Sequence, residues 1–138
     1  MSITEAGCLC GAVKLSLDGD PVVQFYCHCD DCQAVHGAAY VSIAVFPAHA
    51  VKVTQGQPVT WTYETLPRQR CATCGTQLFA RVPDSEFAGV KANLLPKNMF
   101  KPAFHIHCKD AVLPVKDDLP HYKSLPSVFG GSDEVLAW

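Results

Sequence analysis

The chain has no run of lysine or arginine, and its 11 basic side chains are outnumbered by 13 acidic ones, giving a formal charge of -2. Phosphate backbones are gripped by clustered cations, so nucleic acid is not expected as a partner. No apolar run is long enough to span a bilayer, and Met1-Ser2-Ile3-Thr4-Glu5 lacks the basic start and apolar core of a secretory leader. Membrane contact is therefore not expected and a cytoplasmic location is. Internal repeats, low-complexity tracts and linkers are also missing. The 138 residues thus read as a single domain over 1–138, one that buries roughly two-thirds of its unfolded surface.

What the chain does contain is short period-two hydrophobicity punctuated by ten prolines and nine glycines, the signature of strands rather than helices. Val13, Leu15 and Leu17 alternate with Lys14 and Ser16, and 22–27 supplies a second strand. Gly19-Asp20-Pro21 between them reads as the turn of a hairpin. Further strands are expected at 40–46, 51–54, 60–64, 77–82, 89–92 and 104–108. The one helical stretch is 30–36, with Asp30 or Asp31 as its cap and Gly37 as its end. After Pro114 the prolines point to extended chain. The expected fold class is mainly β, with at most one or two short helices.

The chain also has eight cysteines, seven of them in three tight groups. In a reducing compartment such spacing favours metal ligation over disulfides. Cys8-Leu9-Cys10-Gly11 and Cys71-Ala72-Thr73-Cys74-Gly75 are two short cysteine turns, each closed by a glycine that lets backbone amides approach the sulfurs. Together they supply the four thiolates of a tetrahedral, saturated and hence structural Zn2+ site.

The middle group, Cys27-His28-Cys29-Asp30-Asp31-Cys32, offers three thiolates and leaves the fourth position of a second Zn2+ open. On a strand, Cys27 and Cys29 share one side and His28 takes the other, while Cys32 returns from the following turn. Three thiolates weaken the metal as a Lewis acid towards carbonyls but suit it to hold an incoming thiol as thiolate, a nucleophile for a small aldehyde. Two alternatives stand beside this reading: a second closed site completed by Cys108, His36 or His28, and a transient disulfide among Cys27, Cys29 and Cys32.

At these groups the chain resembles the glutathione-dependent formaldehyde-activating enzyme family, which includes the centromere protein V group. The resemblance rests on Gly7-Cys8-Leu9-Cys10-Gly11, Cys27-His28-Cys29-Asp30-Asp31-Cys32 and Cys71-Ala72-Thr73-Cys74-Gly75-Thr76, and extends to Gln77-Leu78-Phe79 and Pro102-Ala103-Phe104-His105-Ile106. It implies a β-tent of packed antiparallel sheets with zinc sites at the sheet edges. It also implies structural zinc on Cys8, Cys10, Cys71 and Cys74, and a catalytic zinc on Cys27, Cys29 and Cys32. The implied activity is that of a carbon-sulfur lyase acting on the adduct of glutathione and formaldehyde. The chain departs from the family pattern at Arg70, at Gln33-Ala34-Val35-His36-Gly37-Ala38 and at Cys108.

The leading expectation is thus a zinc-dependent lyase whose partners are a small thiol such as glutathione and an aldehyde. A non-catalytic, zinc-stabilised binding module is the alternative, and a homo-oligomer is compatible with either. Of the histidines, His36, His105 and His107 read as ordinary surface or core residues, His105 being the one best placed to orient a ligand of the reactive zinc or relay a proton. Trp61, Tyr63 and Phe79 read as sheet packing.

Overall fold

In the computed structural model, which describes residues 2–138, the chain forms two compact units. One runs to Val23 and resumes from Ala44 to Phe100; the other joins Gln24–Ile43 to Lys101–Trp138. In chain order the strands are β1 (Ile3–Gly7), β2 (Lys14–Asp18), β3 (Val23–Cys27), β4 (Val41–Pro47), β5 (Val51–Gln55), β6 (Val59–Tyr63), β7 (Leu66–Arg70), β8 (Gln77–Arg81), β9 (Phe87–Lys91) and β10 (Phe104–Ile106). The α-helix α1 (Asp30–His36) lies between β3 and β4. The protein is mainly β with antiparallel sheets. No helix among the described residues is long and apolar enough to cross a membrane.

In the first unit, β1, β2 and β5 form an antiparallel sheet in the order β1-β2-β5. The alternation along β2 works as its sequence requires: Leu15 and Leu17 are buried, and Lys14 faces solvent. A meander in the order β9-β8-β7-β6 supplies Leu78, Phe79, Ala88 and Val90 to the same core. Burying each leucine contributes about 1.5–3 kcal/mol relative to leaving it exposed.

Three strand expectations are corrected here. β2 does not form a hairpin with the strand that follows it, because both its edges are taken, Leu17 lying opposite Thr4 of β1 and Val51 of β5. The turn at Gly19 instead sends the chain onward to β3. Neither β1 nor β7 was expected. Leu66-Pro67-Arg68-Gln69-Arg70 contains a proline and no alternation, yet Pro67 is tolerated because it faces Thr62 of β6 and lies beyond Arg68, where pairing with β8 starts. Trp61 and Tyr63, expected to pack the sheet, are exposed on β6 and stack on one another at 6.5 Å; Phe79 is buried as expected.

In the second unit β10 runs parallel to β3, with Ile106 opposite Cys27 and His105 opposite Tyr26. Phe25 and Phe104 stack across this pair at 5.7 Å, and Phe129 meets both edge-on. The segment after Pro114 is mostly extended, as its prolines suggest. It is tied to β10 by the His105 amide donating to the Pro120 carbonyl and the Tyr122 amide donating to the His105 carbonyl, at 2.9 and 3.0 Å.

Candidate metal centres

Cys8 and Cys10 sit in the loop that leaves β1, and Cys71 and Cys74 in the loop between β7 and β8. Each loop is a tight turn closed by backbone hydrogen bonds, Gly11 to the Cys8 carbonyl at 3.1 Å and Gly75 to the Cys71 carbonyl at 3.0 Å. Gly11 and Gly75 have φ of 82° and 77°, a region that disfavours a side chain. Within the turns the Val13 amide donates to Cys8 Sγ at 3.2 Å and the Thr73 amide to Cys71 Sγ at 3.4 Å. Such amides stabilise thiolates.

The four sulfurs converge to within 4.8 Å of one another, with Cys8–Cys10 at 3.6 Å and Cys10–Cys71 at 3.8 Å. A tetrahedron with Zn–S bonds of 2.3 Å has edges of about 3.8 Å, close to these two spacings, so the donor set fits zinc. Thiolate character is unevenly shared among the four sulfurs. The Thr76 hydroxyl and amide bring Cys74 down to about 5. At Cys10 the Ala12 amide pulls the same way, but Cys74 and Cys8 outweigh it and push the thiol up to about 11.

The middle trio is built at the junction of β3 and α1. Cys27 ends the strand, Cys29 is the N-cap of the helix and Cys32 lies in its first turn. The cap is the Cys29 sulfur, which accepts the Cys32 amide at 3.3 Å, rather than Asp30 or Asp31. Cys29 is still extended (φ −64°, ψ 154°), whereas both aspartates are already helical and act only as acids in the first turn. Gly37 ends the helix in the left-handed conformation, as expected.

All three sulfurs lie within 4.8 Å of one another, and among the described residues His28, His36 and Cys108 are not members of that group. Cys27 and Cys32 are buried and Cys29 is half-exposed. Hydrogen bonds from Cys27 and Cys32, followed by the Cys32 amide, bring Cys29 down to about 2; the same contacts hold Cys27 well above the ordinary thiol range. These contacts favour the thiolate at Cys29, the most accessible of the three. Cys108 is buried on a short 3-10 turn, and burial, reinforced by Asp117, pushes it up to about 12, so it stays a neutral thiol.

The Gln33 side chain, which supports this loop, is not expected from the sequence, whereas the turn of His28 away from the sulfurs is. Gln33 Nε2 donates to the carbonyls of His28 and Asp110, both at 2.8 Å, and so braces the loop against the 3-10 turn that holds Cys108. His28 is fully buried and turns away from the sulfur group, with its Nε2 2.9 Å from Nδ1 of His105. His105 thus meets His28 and not the trio. A glutamine bridge of this kind, spanning 77 residues, leaves no local trace in the sequence.

The profile described as glutathione-dependent formaldehyde-activating enzyme matches residues 3–110, taking in all eight cysteines and both turns that close on glycine. The chain belongs to that family. A crystal structure of a Rhodobacter sphaeroides protein shares the fold, with a TM-score of 0.56 and 21% identity, over 67% of this chain and 88% of that one. Membership of the formaldehyde-activating family supports a function of the type its name describes, and the family's association with zinc agrees with the sulfur geometry. The matched region ends before Asp117 and His121.

Proposed function

We propose that this protein catalyses the reversible addition of a small thiol to an aldehyde, as a zinc-dependent carbon-sulfur lyase in the breakdown direction. The supporting observation is the three-sulfur group of Cys27, Cys29 and Cys32, which no histidine, carboxylate or further cysteine joins within 4.8 Å among the described residues. Cys27, Cys29 and Cys32 would hold a zinc ion, which when bound supplies an open position where a thiol is kept as its thiolate at neutral pH. In the forward direction the thiol sulfur bonds to the carbonyl carbon, the carbon-oxygen π pair moves to oxygen, and the sulfur's proton ends on that oxygen. The reverse breaks the same carbon-sulfur bond.

The chain's own residues hold the trio in place and shape its approach. Capping by the Cys32 amide and the two Gln33 hydrogen bonds fix the loop that presents Cys29. Beside it, a groove of about 460 Å³ is lined by Asp30, Gln33, Ala34, Gly37, Ala38 and Val112 among others. These residues carry one carboxylate and no cation, so a thiol with two carboxylates, such as glutathione, meets no countercharge there. A thiol bearing an amine or no charge fits this lining at least as well, and the proposed substrates are glutathione or such a thiol together with formaldehyde or another small aldehyde.

The test replaces Cys29 by serine and follows S-hydroxymethyl adduct exchange by NMR, with the uncatalysed rate subtracted. A fall of roughly 100-fold, about 2.7 kcal/mol of lost transition-state stabilisation, is expected. Unchanged turnover in folded Cys29→Ser protein overturns the mechanism. A wild-type, zinc-loaded protein no faster than the uncatalysed reaction leaves the binding module.

A further inference from the structure

The second unit contains a third group of ligating side chains: His105 on β10, and Asp117 and His121 on the extended segment that follows. Their donor atoms all lie within 4.8 Å of one another, with His105 Nε2 2.7 Å from Asp117 Oδ2 and His121 Nε2 2.9 Å from Asp117 Oδ1. No cysteine takes part, and Asp117 and His121 lie past the region that matches the family.

Two kinds of contact bring the group together. The hydrogen bonds between β10 and residues 120–122 place the two rings side by side, tilted by 36°, with centroids 4.7 Å apart. The carboxylate is then oriented by the Leu119 amide, which donates to Asp117 Oδ1 at 3.0 Å.

We propose that His105, Asp117 and His121 form a further binding site for a divalent first-row transition cation, separate from both sulfur sites. The observation that separates a cation site from a purely hydrogen-bonded cluster is His121 Nε2. It lies within ion-pair distance of Asp117, yet it makes no hydrogen bond because the approach is misdirected, and the ring is 95% buried by its 5% residual exposure. A buried nitrogen that makes no hydrogen bond is destabilising, and a cation placed among the three groups supplies the missing partner.

The surroundings suit such an ion. Two neutral imidazoles and one carboxylate are the donors preferred by zinc, cobalt(II) and iron(II), and hard cations that demand all-oxygen shells are disfavoured. His105 is held from behind by His28 at its Nδ1, the kind of contact that sets the orientation of a ligating ring. The Trp138 ring packs against His121 at 4.8 Å and closes one side. Asp117 retains 31% exposure, which leaves a side for entry and for water ligands.

The site is independent of the proposed lyase activity and is tested without it. The full-length protein, stripped of metal, is titrated with cobalt(II). Uptake at the sulfur sites brings intense sulfur-to-cobalt charge-transfer bands, whereas the nitrogen-oxygen site adds an equivalent with only weak d–d absorption. That additional equivalent is expected in the wild type and should vanish in His121→Phe, with the charge-transfer bands unchanged. Asp117→Asn, which keeps size and shape, serves as a second variant and should lose the same equivalent. A wild type that takes up cobalt only with charge-transfer bands overturns the site, as does a folded variant that retains the weakly absorbing equivalent; the three residues are then a hydrogen-bonded brace.

Discussion

Cys29 and His28 are neighbours in sequence, and folding moves their protonation in ways that serve opposite needs. Two sulfurs and an amide stabilise the Cys29 thiolate, whereas burial, then the nearby His105 and His121, lower His28 to about 4 and keep it neutral. Between about pH 4 and the ordinary histidine value of 6.5 the unfolded chain binds a proton at residue 28 that the folded chain does not. The slope is therefore positive: stability from His28 is complete above pH 6.5 and is lost as pH falls towards 4, by an amount on the order of 3 kcal/mol. His28→Phe should flatten this part of the profile. Urea unfolding of both proteins from pH 4 to 7 measures the difference between them, from which acid loss of metal cancels. Parallel profiles would show that His28 is not the group responsible.

At the scale of elements, the seven-residue helix α1 is too short to persist by propensity, so its position depends on its ends and its tethers. The Cys29 sulfur and Gly37 supply the ends, and Gln33 supplies the tether to the His28 and Asp110 carbonyls. Gln33→Leu should leave both carbonyls without this donor, lowering stability by about 1–3 kcal/mol. The trio should also release metal faster to a chelator while the four-sulfur site does not, a split that a general loss of stability would not produce. Stopped-flow chelation with a chromogenic chelator reads both phases. The sequence pointed to this helix and its glycine end, but the sulfur cap and the glutamine tether were hidden. The cap depends on which residue is the last extended one, and the tether on a turn 77 residues away.

At the scale of the whole molecule, the four-sulfur site joins the loops after β1 and β7 of one unit. Apparent zinc binding energies of about 10–16 kcal/mol match or exceed the roughly 5–15 kcal/mol that usually separates folded from unfolded domains. Removal of metal from this site should therefore unfold the first unit, and hydrogen exchange across β1, β2 and β8 is expected to lose its protection when a strong chelator is added. Retained protection there would mean that the apolar core around Leu15, Leu17 and Phe46 suffices alone. Sequence alone determined the mainly β character, because alternation along segments such as β2 is a local consequence of the two-residue strand repeat. It also determined the three tight cysteine groups, since residues one to three positions apart must share a neighbourhood, whereas the meeting of the first and last groups across 61 residues is a tertiary contact. Only the tertiary structure decided which strands pair, that β2 lies between β1 and β5, and that Trp61 and Tyr63 face outward. It alone brought His105, Asp117 and His121 together. Strand partnership and the meeting of side chains from β10 and the extended segment depend on contacts between distant residues, and no local pattern of hydrophobicity or turn chemistry encodes which distant segment arrives.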